Sequence, residues 1–295
     1  MNNNPFMNFD EIAYLELNPD LVEALRHGTI RTGWEHFIDY GFYEDRKGVP
    51  RSVFNDIKAI MDNELTLPYP PEHLRQRVHG AKTLRSFRNV GRVVTLNMIS
   101  ALHKIGKLKI LNEGKLKVLD FGCGNARVLR YLHALFPDHD YSGTDIDTES
   151  ITWCQETLAQ LGNFSSNDPV PPLAYNENTF DFVYSISVFT HLPEDMQFLW
   201  LEELHRVAKP GAYLLLTTHG EMALPSVSKE DRHHLSKYGY FYLKGSGTDG
   251  LPDFYQNAYH LHDYICSNWQ KYFSIVEIID RGVVGFQDLV ICKNR

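Results

Sequence analysis

Cysteine is scarce in this chain. Its 295 residues hold four, Cys123, Cys154, Cys266 and Cys292. None forms a CxxC pair and none stands at zinc spacing from a histidine, so neither a metal site nor a disulfide framework is indicated. Long apolar runs are missing too. No stretch offers the roughly 20 apolar residues a bilayer span needs, and no signal peptide opens the chain, so a soluble cytoplasmic protein is the expectation. Excess positive charge is also absent. The net charge is −8, which speaks against a general nucleic-acid binder with its basic surface. Several cations gather between His79 and Arg92, and a solvated helix face accounts for them more readily than a docking patch. There is no internal repeat and no low-complexity tract. What remains is a globular chain with 43% hydrophobic residues, able to bury a sizeable core and long enough for one large domain with an appendage.

Three regions differ in pattern. Residues 1–50 are a short aromatic and helical module, in which Asn18-Pro19 starts a helix with Pro19 in the tolerated first turn. It is too small for a strong core of its own and should dock on the remainder or on a partner. Residues 51–112 form a connector, Pro-rich at LPYPPEHLRQRVHG, followed by a helix over roughly 83–105 with Val90, Val93, Val94, Met98 and Leu102 at helical spacing. Residues 113–295 alternate. KLKVLDFG, DYSGTDID, TFDFVYSISV and AYLLLTTHG are strands, with helices predicted over 125–135, 151–161 and the PEDMQFLWLEELHRVA stretch between them. That alternation predicts an α/β, Rossmann-like doubly wound sheet, mainly parallel. FSIVEIIDRG and QDLVICK, with no helix between, predict an antiparallel hairpin closing it.

The loop DFGCGNAR, residues 120–127, lies between the first strand and first helix, where open parallel sheets bind ligands. Gly122 and Gly124 let backbone approach a ligand closely, and a helix N-terminus follows. A pyrophosphate loop would place its third glycine where Arg127 stands, and a buried acid such as Asp120 would repel the phosphates. An amine would welcome that acid. Asp145 ends the next strand, where a carboxylate can hold ribose hydroxyls. A ribose and an amino-acid head without phosphate describe S-adenosylmethionine.

From about residue 115 the chain resembles class I S-adenosylmethionine-dependent methyltransferases. VLDFGCGNAR is similar to their first motif, with Ala126 for the usual third glycine; TDID is similar to the ribose motif. The regions NDPVPPLAYNENTFDFVYSISVFTHL and LHRVAKPGAYLLLTTHG correspond to the fourth and fifth strands. The resemblance implies seven strands with the last antiparallel, and the cofactor S-adenosyl-L-methionine. It implies Asp120 near the methionine amine, Gly122 and Gly124 presenting backbone, Asp145 on the ribose and Ile146 on the adenine. Asn167 or Asp168 would meet the adenine amine, and Ser185 and Ser187 the methionine part. The alternative for Asp168 is a turn residue before Pro169, and Asp147 reads better as a helix cap. The connector resembles the N-terminal helix that covers the cofactor in several bacterial relatives, which would bring Arg77, Phe87 and Gly91 to the methionine carboxylate.

Methyl transfer from a sulfonium is an in-line displacement, and an alcohol acceptor asks for a base. With no metal expected, His191, His219 and His260 are the candidates, and Tyr255 and Tyr259 the candidate substrate walls. The blander readings are that His191 caps a helix, His219 bonds loop backbone and the tyrosines are ordinary packing. YLELNPDLVEAL and GWEHFIDYGFYEDR are similar to a short bacterial module attached to surface-polysaccharide enzymes. That tilts the expected acceptor towards a saccharide hydroxyl, and allows a protein or glycan partner for the module. The alternatives are an N- or O-methyltransferase of another small molecule in natural-product synthesis, and a cofactor-binding scaffold without chemistry. Nucleic-acid methylation is disfavoured, because Ser185-Ile186-Ser187-Val188 stands where an Asn/Asp-Pro-Pro-aromatic motif would be.

Overall fold

A computed structural model of the chain describes residues 9–30, 32–41, 44, 46–49, 54–55, 58, 66–79, 83–112, 114–224, 227–245 and 252–295. Most of the connector between 50 and 65, and part of the cationic run after His79, lie outside the described residues.

The strands are β1 (Lys117–Phe121), β2 (Asp140–Asp145), β3 (Asn163–Ser166), β4 (Phe180–Ser185), β5 (Ala208–Thr218), β6 (Tyr240–Leu243), β7 (Asn257–His260), β8 (Phe273–Val283) and β9 (Gln287–Asn294). Seven of them form one sheet in the order β3-β2-β1-β4-β5-β9-β8. β1 to β5 pair in parallel, and β9 runs antiparallel between β5 and β8. The period of two along a strand sends neighbours to opposite faces. Val118, Phe182 and Leu215 join one buried cluster, while Leu119, Val183 and Leu214 join the other. Both faces are thus covered, which is why the central strands carry apolar residues at successive positions, as in Phe182-Val183-Tyr184 and Leu214-Leu215-Leu216.

The helices are α1 (Glu11–Glu16), α2 (Pro19–Arg26), α3 (Gly33–His36), α4 (Glu72–His79), α5 (Leu84–Lys104), α6 (Leu129–Leu135), α7 (Thr148–Thr157), α8 (Glu194–Val207), α9 (Lys229–Tyr238) and α10 (His262–Trp269). Thr83 caps α5 through its hydroxyl, which accepts from Ser86 N–H. Asp147 caps α7, accepting from Glu149 and Ser150. α5, α6 and α7 cover one face; Trp200 and Leu204 of α8 and Ile265 and Trp269 of α10 cover the other. The first cluster also takes in Tyr14, Leu21 and Phe37, so the N-terminal helices share the core of the sheet. No described helix is long and apolar enough to cross a membrane.

Several elements differ from expectation. α6 begins at Leu129, not Asn125, because Ala126 has φ +58° and cannot be helical. α7 occupies 148–157, starting at its cap Asp147 and ending before Leu161. β6 and β7 form a separate antiparallel pair, bridged to the end of β5 by His219 and Tyr259. These strands are four residues each, too short for alternation to announce.

Candidate cofactor and active site

The strand order reverses between β1 and β4, and a cavity opens there at the carboxyl ends of β1, β2 and β4.

Asp120, near the end of β1, is 3% exposed. Tyr184 Oη donates to its Oδ2 at 2.9 Å. Burial pushes the carboxyl up to about 8, the Tyr184 bond pulling the other way, with Asp145 adding to the rise and Arg127 opposing it. A buried acid of this kind regains its charge when a cation arrives beside it. Gly122 turns the chain at φ +78°, and a Cβ there would lie 2.2 Å from Val188 Cγ2. Gly124 has φ +51°, and its Cβ would meet Val78 Cγ2 at 2.6 Å. Ala126 occupies the left-handed region as well, so the position normally glycine keeps glycine-like geometry with a methyl group attached.

Asp145 ends β2. Its Oδ2 accepts from Gly124 N–H at 2.7 Å and its Oδ1 from Asp147 N–H at 2.8 Å. A carboxylate can accept about four hydrogen bonds, and Asp145 is part of the cavity wall. Ile146 and Asn167 also line the cavity, whereas Asp168 does not; its neighbour Pro169 does. Asn167 is fixed by Thr144 Oγ1, which donates to its Oδ1 at 2.8 Å.

Ser185 is fully buried behind the wall, while Ser187 is part of it. Ser187 is held at φ +62° from three sides. Its N–H donates to Thr217 Oγ1 at 2.7 Å, its carbonyl accepts from Tyr255 Oη at 2.8 Å, and its Oγ accepts from Gln287 Nε2 at 2.7 Å. Strain so over-determined is typical of functional positions.

The aromatic candidates divide. Tyr255 lines the cavity; Tyr259 instead stacks on His219 at 5.4 Å between ring centroids. None of the three histidines lines it. His191 Nδ1 lies 2.6 Å from Gln256 O, and its ring stacks on Tyr255 at 4.3 Å. His219 stands edge-on to His191 at 5.9 Å. His260 is fully buried, with Nε2 2.8 Å from Gln197 Oε1 and its ring between Tyr240 and Trp269. Desolvation lowers His191 and His219 to about 4 and His260 to about 3, so all three are neutral at pH 7.

α4 lies against the glycine loop. Asn125 Nδ2 donates to Leu74 O at 3.0 Å, and Arg77 pairs with Asp147 at 3.0 Å and with Glu149. Arg77 is thereby committed to acids. Phe87 packs under Arg130, and Gly91 faces Arg127. Arg127, which sequence reasoning used only to exclude pyrophosphate, is itself a cavity residue. Phe254, Leu192 and Trp200 also line the wall; they lie in stretches whose sequence pattern carries no signal of a pocket. Among the described residues, one group away from the cavity lining has metal-capable atoms: His262, Asp280 and Asp288 within 4.8 Å of one another. Asp288 is already satisfied, by His262 Nε2 at 2.8 Å and Arg281 N–H at 2.8 Å.

The arrangement fits a ligand with a cationic head near Asp120 and a vicinal diol near Asp145. Residues 119–216 match the family described as Methyltransferase domain. Over 105 residues the chain is 30% identical to the fatty-acid O-methyltransferase of Mycolicibacterium smegmatis, covering 36% of this chain and 37% of that one. Over 242 residues it is 34% identical to the tRNA (carboxymethyluridine(34)-5-O)-methyltransferase of Arabidopsis thaliana, covering 74% of this chain and 54% of that one. The chain thus spans about a third to a half of the length of these curated relatives. An S-adenosylmethionine-dependent methyltransferase from Methanosarcina mazei aligns with a TM-score of 0.47 at 20% identity, over 61% of this chain and 92% of that one. This stretch is thus similar to methyltransferase domains, a fold family that binds S-adenosylmethionine.

Proposed function

We propose that the protein transfers a methyl group from S-adenosylmethionine to a small-molecule acceptor seated against Phe254 and Tyr255. The observation that supports this reading most directly is the pair of carboxylates, Asp120 and Asp145, at the ends of adjacent strands on one cavity. Asp120 would hold the amine and Asp145 the ribose, with Ile146 and Asn167 beside the adenine. The cofactor supplies an electrophilic methyl on a sulfonium. The chain's own residues position the acceptor and exclude water.

A saccharide hydroxyl is supported by the likeness of the N-terminal module alone. A hydroxyl calls for a base, and no histidine is among the described residues of the wall. Tyr255 is a weak substitute, since burial raises its pKa and its hydrogen is given to Ser187 O. An acceptor oxygen already ionised at neutral pH needs no base. Two relatives are named for O-methylation of a fatty acid and of carboxymethyluridine, acceptors that carry a carboxyl group. A carboxylate acceptor is therefore the second reading, favoured by a described wall that holds no histidine. The net charge of −8 counts against a polyanionic acceptor such as RNA.

Incubation of the full chain with methyl-labelled cofactor and extracts of glycans, fatty acids and polar metabolites tests the proposal. Label in a base-labile methyl ester supports the carboxylate reading, and label in an alkali-stable ether the saccharide reading. No labelled product from any extract, with cofactor bound, would favour a scaffold without chemistry.

A further inference from the structure

Arg127 is 7% exposed and lines the cavity, yet its Nε and Nη1 atoms have no hydrogen-bond partner. A buried guanidinium left unpaired is costly, so native structures rarely keep one without use. The fold goes out of its way to admit this side chain. Gly91 sits inside α5, where glycine disfavours a helix. A Cβ there would lie 2.5 Å from Arg127 O and 2.9 Å from Arg127 Cγ. The glycine thus makes room for the arginine stem. Arg77, the other arginine on the wall, is taken up by Asp147 and Glu149.

We propose that Arg127 is a carboxylate-binding residue of the cavity, its partner being the carboxylate of the cofactor's amino-acid head or that of an acidic acceptor. The planar fork of N–H donors matches a carboxylate in shape and charge. Asp120 is close enough to act electrostatically on Arg127. An acid and an arginine side by side suit a zwitterion, whose amine and carboxylate share one carbon. A phosphate, with more negative charge, would be repelled by Asp120. The proposal rests on the cofactor reading above and deepens it.

The test uses the full chain and Arg127→Met, titrated calorimetrically with S-adenosylhomocysteine and with 5′-methylthioadenosine, which lacks the amino-acid head. If the cofactor supplies the carboxylate, the variant loses tenfold or more for the first ligand and less than twofold for the second. If an acceptor supplies it, S-adenosylhomocysteine binds unchanged. Decanoate then binds the S-adenosylhomocysteine-loaded wild type but not the loaded variant, and decanol distinguishes neither. Unchanged S-adenosylhomocysteine affinity with no Arg127-dependent decanoate binding overturns the proposal. The melting temperature of the ligand-free variant should equal or exceed that of the wild type, because an unpaired charge has gone. A clear fall with ligand affinities intact marks a structural arginine and also overturns it. Gly91→Ala, which keeps the charge but crowds the stem, should weaken the same ligand as Arg127→Met. Wild-type protein that binds neither nucleoside contradicts the cofactor reading, and this proposal with it.

Discussion

Gly124 N–H and Asp145 Oδ2 are joined by a 2.7 Å hydrogen bond. The bond ties the glycine loop after β1 to the acid at the end of β2, so the proposed amino-acid and ribose subsites share one hydrogen-bonded frame. The same carboxylate is braced by Asp147 N–H at 2.8 Å. Asp145→Ala is expected to weaken S-adenosylhomocysteine binding by about 1–3 kcal/mol through lost charge-assisted bonds. Calorimetry checks this, and unchanged affinity would remove Asp145 from the site.

Asp120 makes cofactor affinity depend on pH. Its carboxyl, raised to about 8, is largely protonated in the free protein at pH 7. A cationic amine must displace that proton, so affinity should rise with pH between 6 and 8, by at most about tenfold per unit for one proton released. Asp120→Asn should bind more weakly and flatten the curve. The check is the dissociation constant measured at several pH values. Affinity that falls over this interval would show that Asp120 does not meet a cation.

Ala126 adopts a backbone conformation that suits glycine, with φ +58°. The left-handed region costs a side-chain-bearing residue about 1–2 kcal/mol, partly offset by glycine's greater freedom in the unfolded chain. Ala126→Gly is therefore expected to leave stability unchanged or raise it by up to about 1 kcal/mol, whereas Ala126→Val should lower it. Denaturant titration reads both, and a stabilising valine would contradict the assigned geometry.

The fold and the ligand loop were legible in the sequence because both obey short-range rules. Parallel strands buried on two faces read as apolar runs, and loop glycines mark turns. α5 was legible because Val90, Val94 and Met98 recur at helical spacing. What lay hidden depends on contacts distant in the chain. The fate of Arg77 is decided by Asp147 and Glu149, some seventy residues later. The three histidines follow strands, which suggests the site. Their partners, Gln256, Tyr259 and Gln197, place them outside the cavity lining. The role of Gly91 is visible only once Arg127 is folded against it.

Those histidines should make the fold acid-labile. Each has its folded pKa below the ordinary 6.5. Below pH 6.5 the unfolded chain binds protons that the fold refuses. Stability is thus complete above 6.5 and declines towards 4 for His191 and His219, and towards 3 for His260. The limit is about 1.4 kcal/mol per pH unit for each. Asp120 tilts the opposite way between 3.8 and about 8, so each variant is compared with its parent. His260→Gln should have a shallower fall in melting temperature between pH 6.5 and 4.5 while retaining cofactor binding. An unaltered slope would show that His260 titrates freely.

Calorimetric titration of the full chain with S-adenosylhomocysteine, beside Asp145→Ala, tests the central claim most directly. The account expects one site per chain in the wild type and a marked loss in the variant at unchanged fold. No binding to the wild type, or equal binding to both proteins, would contradict a cofactor site between Asp120 and Asp145.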